Sequence, residues 1–126
     1  MLFYQNLVKK GNRLSILVVD DDPGIRETMA DILGEMNFLV YTASDGLEAL
    51  DLIDKYSIDL VLMDMRMPGL DGVETSKRIK SIHPKMRIIM ITAYASPEVF
   101  DMARNAGIQE IMNKPINFQQ LANILA

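Results

Sequence analysis

The 126-residue chain has no cysteine, so neither a disulfide framework nor a thiolate metal site can be built from it. That absence fits a reducing compartment. A basic run is missing as well: the net charge is −4, and no Lys/Arg stripe suited to tracking a nucleic acid occurs. No apolar run approaches the ~20 residues that cross a bilayer. The opening MLFYQNLVKKGNR turns polar too early for the apolar stretch of a signal peptide. Internal repeats, low-complexity tracts and interdomain linkers are also lacking. The expectation is one soluble domain in the cytoplasm, of a size that buries roughly two thirds of its unfolded surface.

Two hydrophobic periodicities alternate along the chain. Ser15 to Asp20 (SILVVD) is a short, branched apolar run, the pattern of a strand buried on both faces. Ile25, Met29, Ile32, Leu33 and Met36 then form one helical stripe, opened by Pro23 and Gly24 and stopped by Asn37. Phe38 to Ala43 reads as a second strand. Asp45-Gly46 marks entry to a helix expected to turn Leu47, Leu50 and Ile53 inward. Ile58 to Met63 is a third strand running out on Asp64, followed by a Gly/Pro-rich loop, MRMPGLDG, and a helix from Val73 to Ile82. Arg87 to Ile91 is a fourth strand ending at Thr92. Ser96 can cap the next helix, with Pro97 at its first position and Glu98 in its first turn, and Gly107 ends it. Glu110 to Met112 make a short fifth strand, and Asn117 caps a last helix to Ala126.

Strands alternating with helices imply an α/β fold: an open, doubly wound parallel sheet covered on both faces. Ligands of such sheets sit beyond the carboxyl ends of the strands. The polar residues at those ends are Asp20, Asp21, Asp64, Thr92 and Lys114, and they are expected to converge. Carboxylates brought together there repel: two unit charges ~4 Å apart at an effective dielectric near 20 cost roughly 4 kcal/mol. A divalent cation relieves this, and an all-oxygen ligand set without imidazole or sulfur favours Mg²⁺ or Mn²⁺. The plainer reading of Asp20 to Asp22 is a turn and a helix N-terminus. It loses ground because a second apolar strand also ends on a lone acid, Asp64. Thr92 offers a hydroxyl and Lys114 an ammonium, the groups that suit phosphoryl oxygens. A cis bond at Lys114-Pro115 could aim the lysine inward.

The pieces ILVVDDDPGIRETMADIL, IDLVLMDMRMPGLDG, IIMITAY and NKPI, in that order, resemble the receiver domain of two-component response regulators, over about Arg13 to Ala126. Residues 1–12 are left as a solvated N-terminal extension. The resemblance implies the flavodoxin-like, CheY-like arrangement: five parallel strands in the order 2-1-3-4-5 with five helices. It implies that Asp64 accepts a phosphoryl group and also binds Mg²⁺ (Mn²⁺ can substitute), with Asp21 a direct ligand, Asp20 acting through water, and the Arg66 carbonyl completing the protein's share. Thr92 becomes the switch hydroxyl, Lys114 contacts acid and phosphoryl group, and the N–H groups of Arg66 and Ala93 face phosphoryl oxygens. The implied donor is a phosphohistidine on a sensor histidine kinase or phosphotransfer protein, or a small acyl phosphate. The implied output face runs from the fourth helix to the last. It serves a downstream partner or an output domain, with no nucleic acid bound by this domain itself.

The chain departs from the family where an aromatic residue is usual three positions before the lysine; here that position is Ile111, expected to be plain strand core. Tyr94 and Arg66 occupy variable positions beside the site and are expected to shield an acyl phosphate from water. His83 is expected to be a surface loop residue rather than a phosphoryl carrier. Met65 and Met67 could be partly exposed as a partner surface, the other methionines being core filler. The final helix runs to the chain's end, shorter than the family leads one to expect. The chain thus reads as either a stand-alone relay or the receiver part of a larger regulator. Two competing readings exist. Asp20-Asp21-Asp22 also resembles the D-x-D loop of haloacid-dehalogenase-type phosphatases. Those usually carry Thr or Val two residues past the second Asp, where this chain has Gly24, and an acidic cluster after the lysine, whereas nothing acidic follows Lys114. The other is an interaction module that has lost phosphorylation, which the presence of all five side chains opposes.

Overall fold

The computed structural model describes residues 13–67 and 69–125. The N-terminal extension expected over residues 1–12 and the helix end expected at Ala126 lie outside them. Five strands form one sheet in the order β2-β1-β3-β4-β5: β1 Ser15–Val19, β2 Leu39–Ala43, β3 Leu60–Asp64, β4 Arg87–Thr92 and β5 Glu110–Asn113. Every pairing is parallel. The helices between and after them are α1 Pro23–Glu35, α2 Gly46–Lys55, α3 Gly72–Ile82, α4 Pro97–Asn105 and α5 Phe118–Leu125.

Side chains alternate across the strands, so each strand feeds two cores. Leu17, Val19, Val61, Met63, Ile88 and Met90 pack with Ala49, Ile53, Val73, Ile79, Val99 and Ala103 of α2, α3 and α4. Ile16, Val18, Leu60, Leu62, Ile89 and Ile91 pack on the other face with Met29 and Leu33 of α1 and Leu121 and Ala122 of α5. The central strands β1, β3 and β4 are therefore apolar between their ends, and the polar residues that break the pattern stand at those ends.

Local chemistry fixes where the helices begin. Asp22, Asp45, Asp71 and Ser96 each cap a helix by accepting a backbone N–H from its first turn. After α1, Asn37 takes the left-handed conformation (φ 72°) that the expected stop requires. The Lys114-Pro115 peptide is cis. In α2, Leu47 is 64% exposed rather than inward, while Ala49 and Ile53 are buried. The buried stripe runs through Gly46, Ala49 and Ile53, and Leu47, one residue on from Gly46, points roughly 100° round the helix from it. Strand boundaries otherwise differ from expectation by one or two residues.

α3 starts one residue earlier than expected, at Gly72, and there the backbones touch. A Cβ on Gly72 would lie 2.0 Å from the Asp64 carbonyl oxygen, so only glycine lets α3 approach the end of β3 this closely. The Gly72 N–H donates to the Met65 carbonyl (3.0 Å), closing the loop.

Candidate functional site

The crossover between β1 and β3 puts the carboxyl ends of those two strands side by side at the centre of the sheet. β1 delivers Asp20 and Asp21 there, and β3 delivers Asp64. Asp20 and Asp64 are buried, Asp64 being 6% exposed, while Asp21 is exposed. One carboxylate oxygen from each of the three lies within 4.8 Å of the others. Lys114, at the end of β5, reaches across: its Nζ is 3.1 Å from Asp64 Oδ1 and 3.4 Å from Asp20 Oδ2. All seven residues expected at the site (Asp20, Asp21, Asp64, Arg66, Thr92, Ala93 and Lys114) line one cleft of about 670 Å³. The convergence expected from strand ends alone is therefore met.

The electrostatics follow from three acids meeting one base. Asp64 sits above an apolar hollow walled by Val18, Leu62 and Ile91. Burial, and then the Asp20 charge, push its carboxyl above the ordinary value of 3.8, and Lys114 and the Arg66 N–H only partly offset them. Burial pulls the Lys114 ammonium down, but its hydrogen bond to Asp64 and the charges of Asp20 and Asp64 outweigh that, leaving it above 10.5. The cluster is thus short of positive charge. An all-oxygen, three-carboxylate set with a cation deficit fits a hard divalent ion.

The hydrogen bonds already made leave only some of these oxygens free. Asp20 Oδ1 accepts the Asp22 N–H (2.9 Å) and its Oδ2 faces Lys114. The Asp20 carbonyl accepts from Arg26 Nη1 of α1 (2.8 Å). Thr92 Oγ1 bonds within its own loop, donating to the Tyr94 carbonyl (3.3 Å) and accepting the Tyr94 N–H (3.2 Å). The Lys114 N–H donates to the Thr92 carbonyl (2.8 Å), which joins the ends of β4 and β5. Asn113 Oδ1 accepts the Ala95 N–H (3.2 Å).

Several expectations beside the site are corrected. Met65 and Met67 are buried, 4% and 8% exposed, and join the core under α2 to α4, so they form no exposed partner surface. The loop after β3 folds back through the Gly72–Met65 bond, and that closure turns both side chains down. His83 is half-buried at the C-cap of α3, its N–H donating to the Ile79 carbonyl and its Nε2 enclosed without a hydrogen-bond partner. It stands just past the helix in a non-helical conformation (φ −124°, ψ 78°), a loop position as expected, but half-buried rather than fully at the surface. Ile111 is half-buried against the core on the α2 to α4 side, as plain strand packing. Tyr94 is 82% exposed at the rim and Arg66 is exposed too.

Three contributors escaped the sequence reading. Gly72 had a signal in the Asp71-Gly72 pair that closes the loop. Arg26 and Asn113 had none, since nothing in a sequence pattern says that a side chain will bond a particular backbone group.

Comparisons with known proteins agree with this geometry. The profile of the response regulator receiver domain matches residues 16–126. The chain is 36% identical over 106 residues to sporulation initiation phosphotransferase F of Bacillus subtilis, covering 84% of this chain and 86% of that protein. It is 35% identical over 113 residues to the sensor histidine kinase RcsC of Salmonella typhi, covering 90% of this chain but only 12% of that protein. Its fold is similar to that of the chemotaxis protein CheY4 of Vibrio cholerae, with a TM-score of 0.84 and 31% identity over 90% of this chain and 96% of that one. No helix among the described residues is long and apolar enough to cross a membrane. With the family profile over most of its length, relatives above 30% identity and the 2-1-3-4-5 parallel sheet, the chain belongs to the response regulator receiver domains of two-component signalling.

Proposed function

We propose that Asp64 is the phosphoryl acceptor of this receiver and that the Asp20, Asp21 and Asp64 cluster holds Mg²⁺, or Mn²⁺ in its place. The observation that carries this reading is the position of Asp64. It is a buried carboxylate at the central strand end, within 4.8 Å of two further acids and 3.1 Å from an ammonium. Asp20 Oδ1 is already held by the Asp22 N–H, which favours Asp20 as the acid acting through water, with Asp21 and Asp64 as direct ligands. The Arg66 carbonyl supplies the remaining protein oxygen. A bound cation would offset the negative charge of the acidic cluster and of the incoming phosphoryl group.

The chain's own residues then do the rest. An Asp64 carboxylate oxygen attacks phosphorus in line as the bond to the donor breaks, the electron pair returning to the imidazole nitrogen of a phosphohistidine or to the carboxylate oxygen of an acyl phosphate. The transition state is loose, so positioning and charge stabilisation dominate. Lys114 and the N–H groups of Arg66 and Ala93 face the equatorial oxygens. The donor is the phosphohistidine of a kinase or phosphotransfer protein in the cytoplasm, or a small acyl phosphate. The domain thereby catalyses its own phosphorylation and, with water as acceptor, its own dephosphorylation. Arg66 and Tyr94 at the rim slow the second reaction. The phosphoryl oxygens compete for the Thr92 hydroxyl with its bonds to Tyr94, biasing the face from α4 to α5 toward a different partner or output domain.

The test is intact mass after incubation with acetyl phosphate and Mg²⁺, beside Asp64→Asn. One Mg²⁺-dependent phosphoryl adduct, absent from the variant, is expected. A folded protein that takes neither phosphoryl group nor beryllofluoride would overturn the proposal in favour of an interaction module.

A further inference from the structure

We infer that Arg26 is a positioning residue for the divalent cation site, acting through the backbone rather than through its charge. The inference rests on the proposed Mg²⁺ reading of the acidic cluster.

Arg26 lies in the first turns of α1, where its own N–H donates to the Asp22 carbonyl (3.0 Å). Its guanidinium folds back toward β1, and Nη1 donates to the carbonyl of Asp20 at 2.8 Å in a partly buried setting. That carbonyl belongs to the peptide joining Asp20 to Asp21. Four further bonds hold the same short segment: the Asp20 N–H donates to the Ala43 carbonyl (3.1 Å), the Asp22 N–H to Asp20 Oδ1 (2.9 Å), and the N–H groups of Gly24 and Ile25 to Asp22 Oδ1 (2.8 and 3.2 Å). Asp20 is thus fixed on its N–H side by the sheet, and Asp22 by the helix it caps. Between them, the Arg26 bond sets the plane of the Asp20–Asp21 peptide and hence the direction in which Asp21 leaves the backbone. Asp21 is the exposed member of the three acids, without core packing to hold it. A residue that must be aimed and is not packed depends on its peptide being held.

A guanidinium near three carboxylates has two opposing effects on a bound cation. By charge alone it competes with the cation, so its removal would tighten binding. By orientation it preorganises a ligand, so its removal would loosen binding. Outer partners that orient metal ligands are worth 10–100-fold in affinity. A single exposed ligand held through one backbone bond belongs at the low end, so loss of Arg26 weakens the site about tenfold. The sign separates the two effects without any need to dissect the energy.

The experiment is Mn²⁺ titration, read by electron paramagnetic resonance of the free ion, on wild type, Arg26→Met and Arg26→Lys. Each is checked for thermal unfolding without metal, and the Asp21 and Asp22 amides are observed by NMR. Expected are weaker Mn²⁺ binding in Arg26→Met with near-wild-type unfolding, broadened or shifted Asp21 amide resonance before any metal is added, and partial recovery in Arg26→Lys, which keeps a donor. Tighter or unchanged binding in Arg26→Met overturns the inference. Should that variant unfold, Arg26→Lys decides: wild-type affinity together with a perturbed Asp21 amide overturns it as well. Failure of folded wild type to bind Mn²⁺ at all sinks the metal reading of the cluster itself, a result distinct from either.

Discussion

Replacing the proposed acceptor with its neutral isostere is expected to stabilise the metal-free protein. Asp64 is 6% exposed and carries its charge within 4.8 Å of Asp20 and Asp21 oxygens, with Lys114 3.1 Å away. At an effective dielectric near 20, each repulsion is roughly 3.5 kcal/mol and the attraction roughly 5 kcal/mol. Two repulsions therefore exceed one attraction by on the order of 2 kcal/mol, before the desolvation cost of the buried carboxylate is added. Asp64→Asn keeps the shape and removes the charge. A gain of about 2 kcal/mol corresponds to a rise of roughly 6–10 °C in Tm for a domain this size. The pH dependence gives an independent check. The carboxyl is raised above 3.8 in the folded protein, so between 3.8 and its folded pKa the native state holds more protons than the unfolded state. Stability of the wild type therefore falls as pH rises through that window, and the variant lacks this contribution. The gap between the two proteins is expected to be full above the folded pKa of Asp64 and to close as pH drops below 3.8. Thermal melts in chelator from pH 3 to 8 would show it. A variant less stable than wild type at neutral pH, or a gap that does not change with pH, refutes the reasoning that ionised Asp64 is held against its own surroundings.

Added Mg²⁺ is expected to reverse part of that ordering by stabilising wild type through binding to the native state while leaving Asp64→Asn little changed, measured as Tm against Mg²⁺ concentration. Gly72→Ala places a Cβ 2.0 Å from the Asp64 carbonyl and is expected to destabilise by about 1–3 kcal/mol in urea unfolding and to slow acetyl phosphate labelling, because the end of β3 must move. Arg87→Ala removes the two-pronged contact with Glu110 (2.8 Å each) and the bond to the Ile124 carbonyl (3.1 Å), so hydrogen exchange is expected to speed in α5 more than in α1. Lys114→Gln removes the built-in cation of the cluster and is expected to tighten Mn²⁺ binding while slowing phosphorylation, a pair of opposite effects that equal losses in both would contradict.

Much of this fold is written in periodicity. Five short branched apolar runs separated by helical stripes leave little choice but a parallel sheet covered on both faces, and Asp22, Asp45 and Ser96 announce their helices. The site was legible for the same reason: Asp20, Asp64, Thr92 and Lys114 are the polar residues at which apolar strands run out. What could not be read was contact rather than pattern. Leu47 looks as apolar as Ile53, and only its place off the Gly46, Ala49 and Ile53 stripe exposes it. Met65 and Met67 look like loop residues until the bond between Gly72 and Met65 folds them under. His83 is the loop residue that Pro84 after it suggests, yet its N–H caps α3 and its ring is half-buried. Arg26 and Asn113 act through single bonds to a carbonyl and an N–H, which composition and spacing do not encode.

The absence of an aromatic residue at position 111 leaves the question of what couples the end of β4 to β5. The geometry answers with polar contacts instead of a ring. Thr92 and Asn113 are register partners, and the Lys114 N–H is bonded to the Thr92 carbonyl at 2.8 Å. One residue further out, Asn113 Oδ1 holds the Ala95 N–H at 3.2 Å. The loop that follows Thr92 is therefore tied at both ends to the strand that presents Lys114. A movement of the backbone that carries Thr92 and Tyr94 would load the Asn113–Ala95 bond, because only two residues separate Thr92 from Ala95. That bond is exposed and worth about 1 kcal/mol or less, weak enough to yield to a charged group at the site and strong enough to bias the loop. Asn113→Ala is accordingly expected to loosen the Thr92–Ala95 loop in unphosphorylated protein, seen as faster exchange of the Ala95 amide, with the cleft acids unaffected. An Ala95 amide that exchanges at the wild-type rate would show that the loop is held by packing and that Asn113 contributes nothing to it.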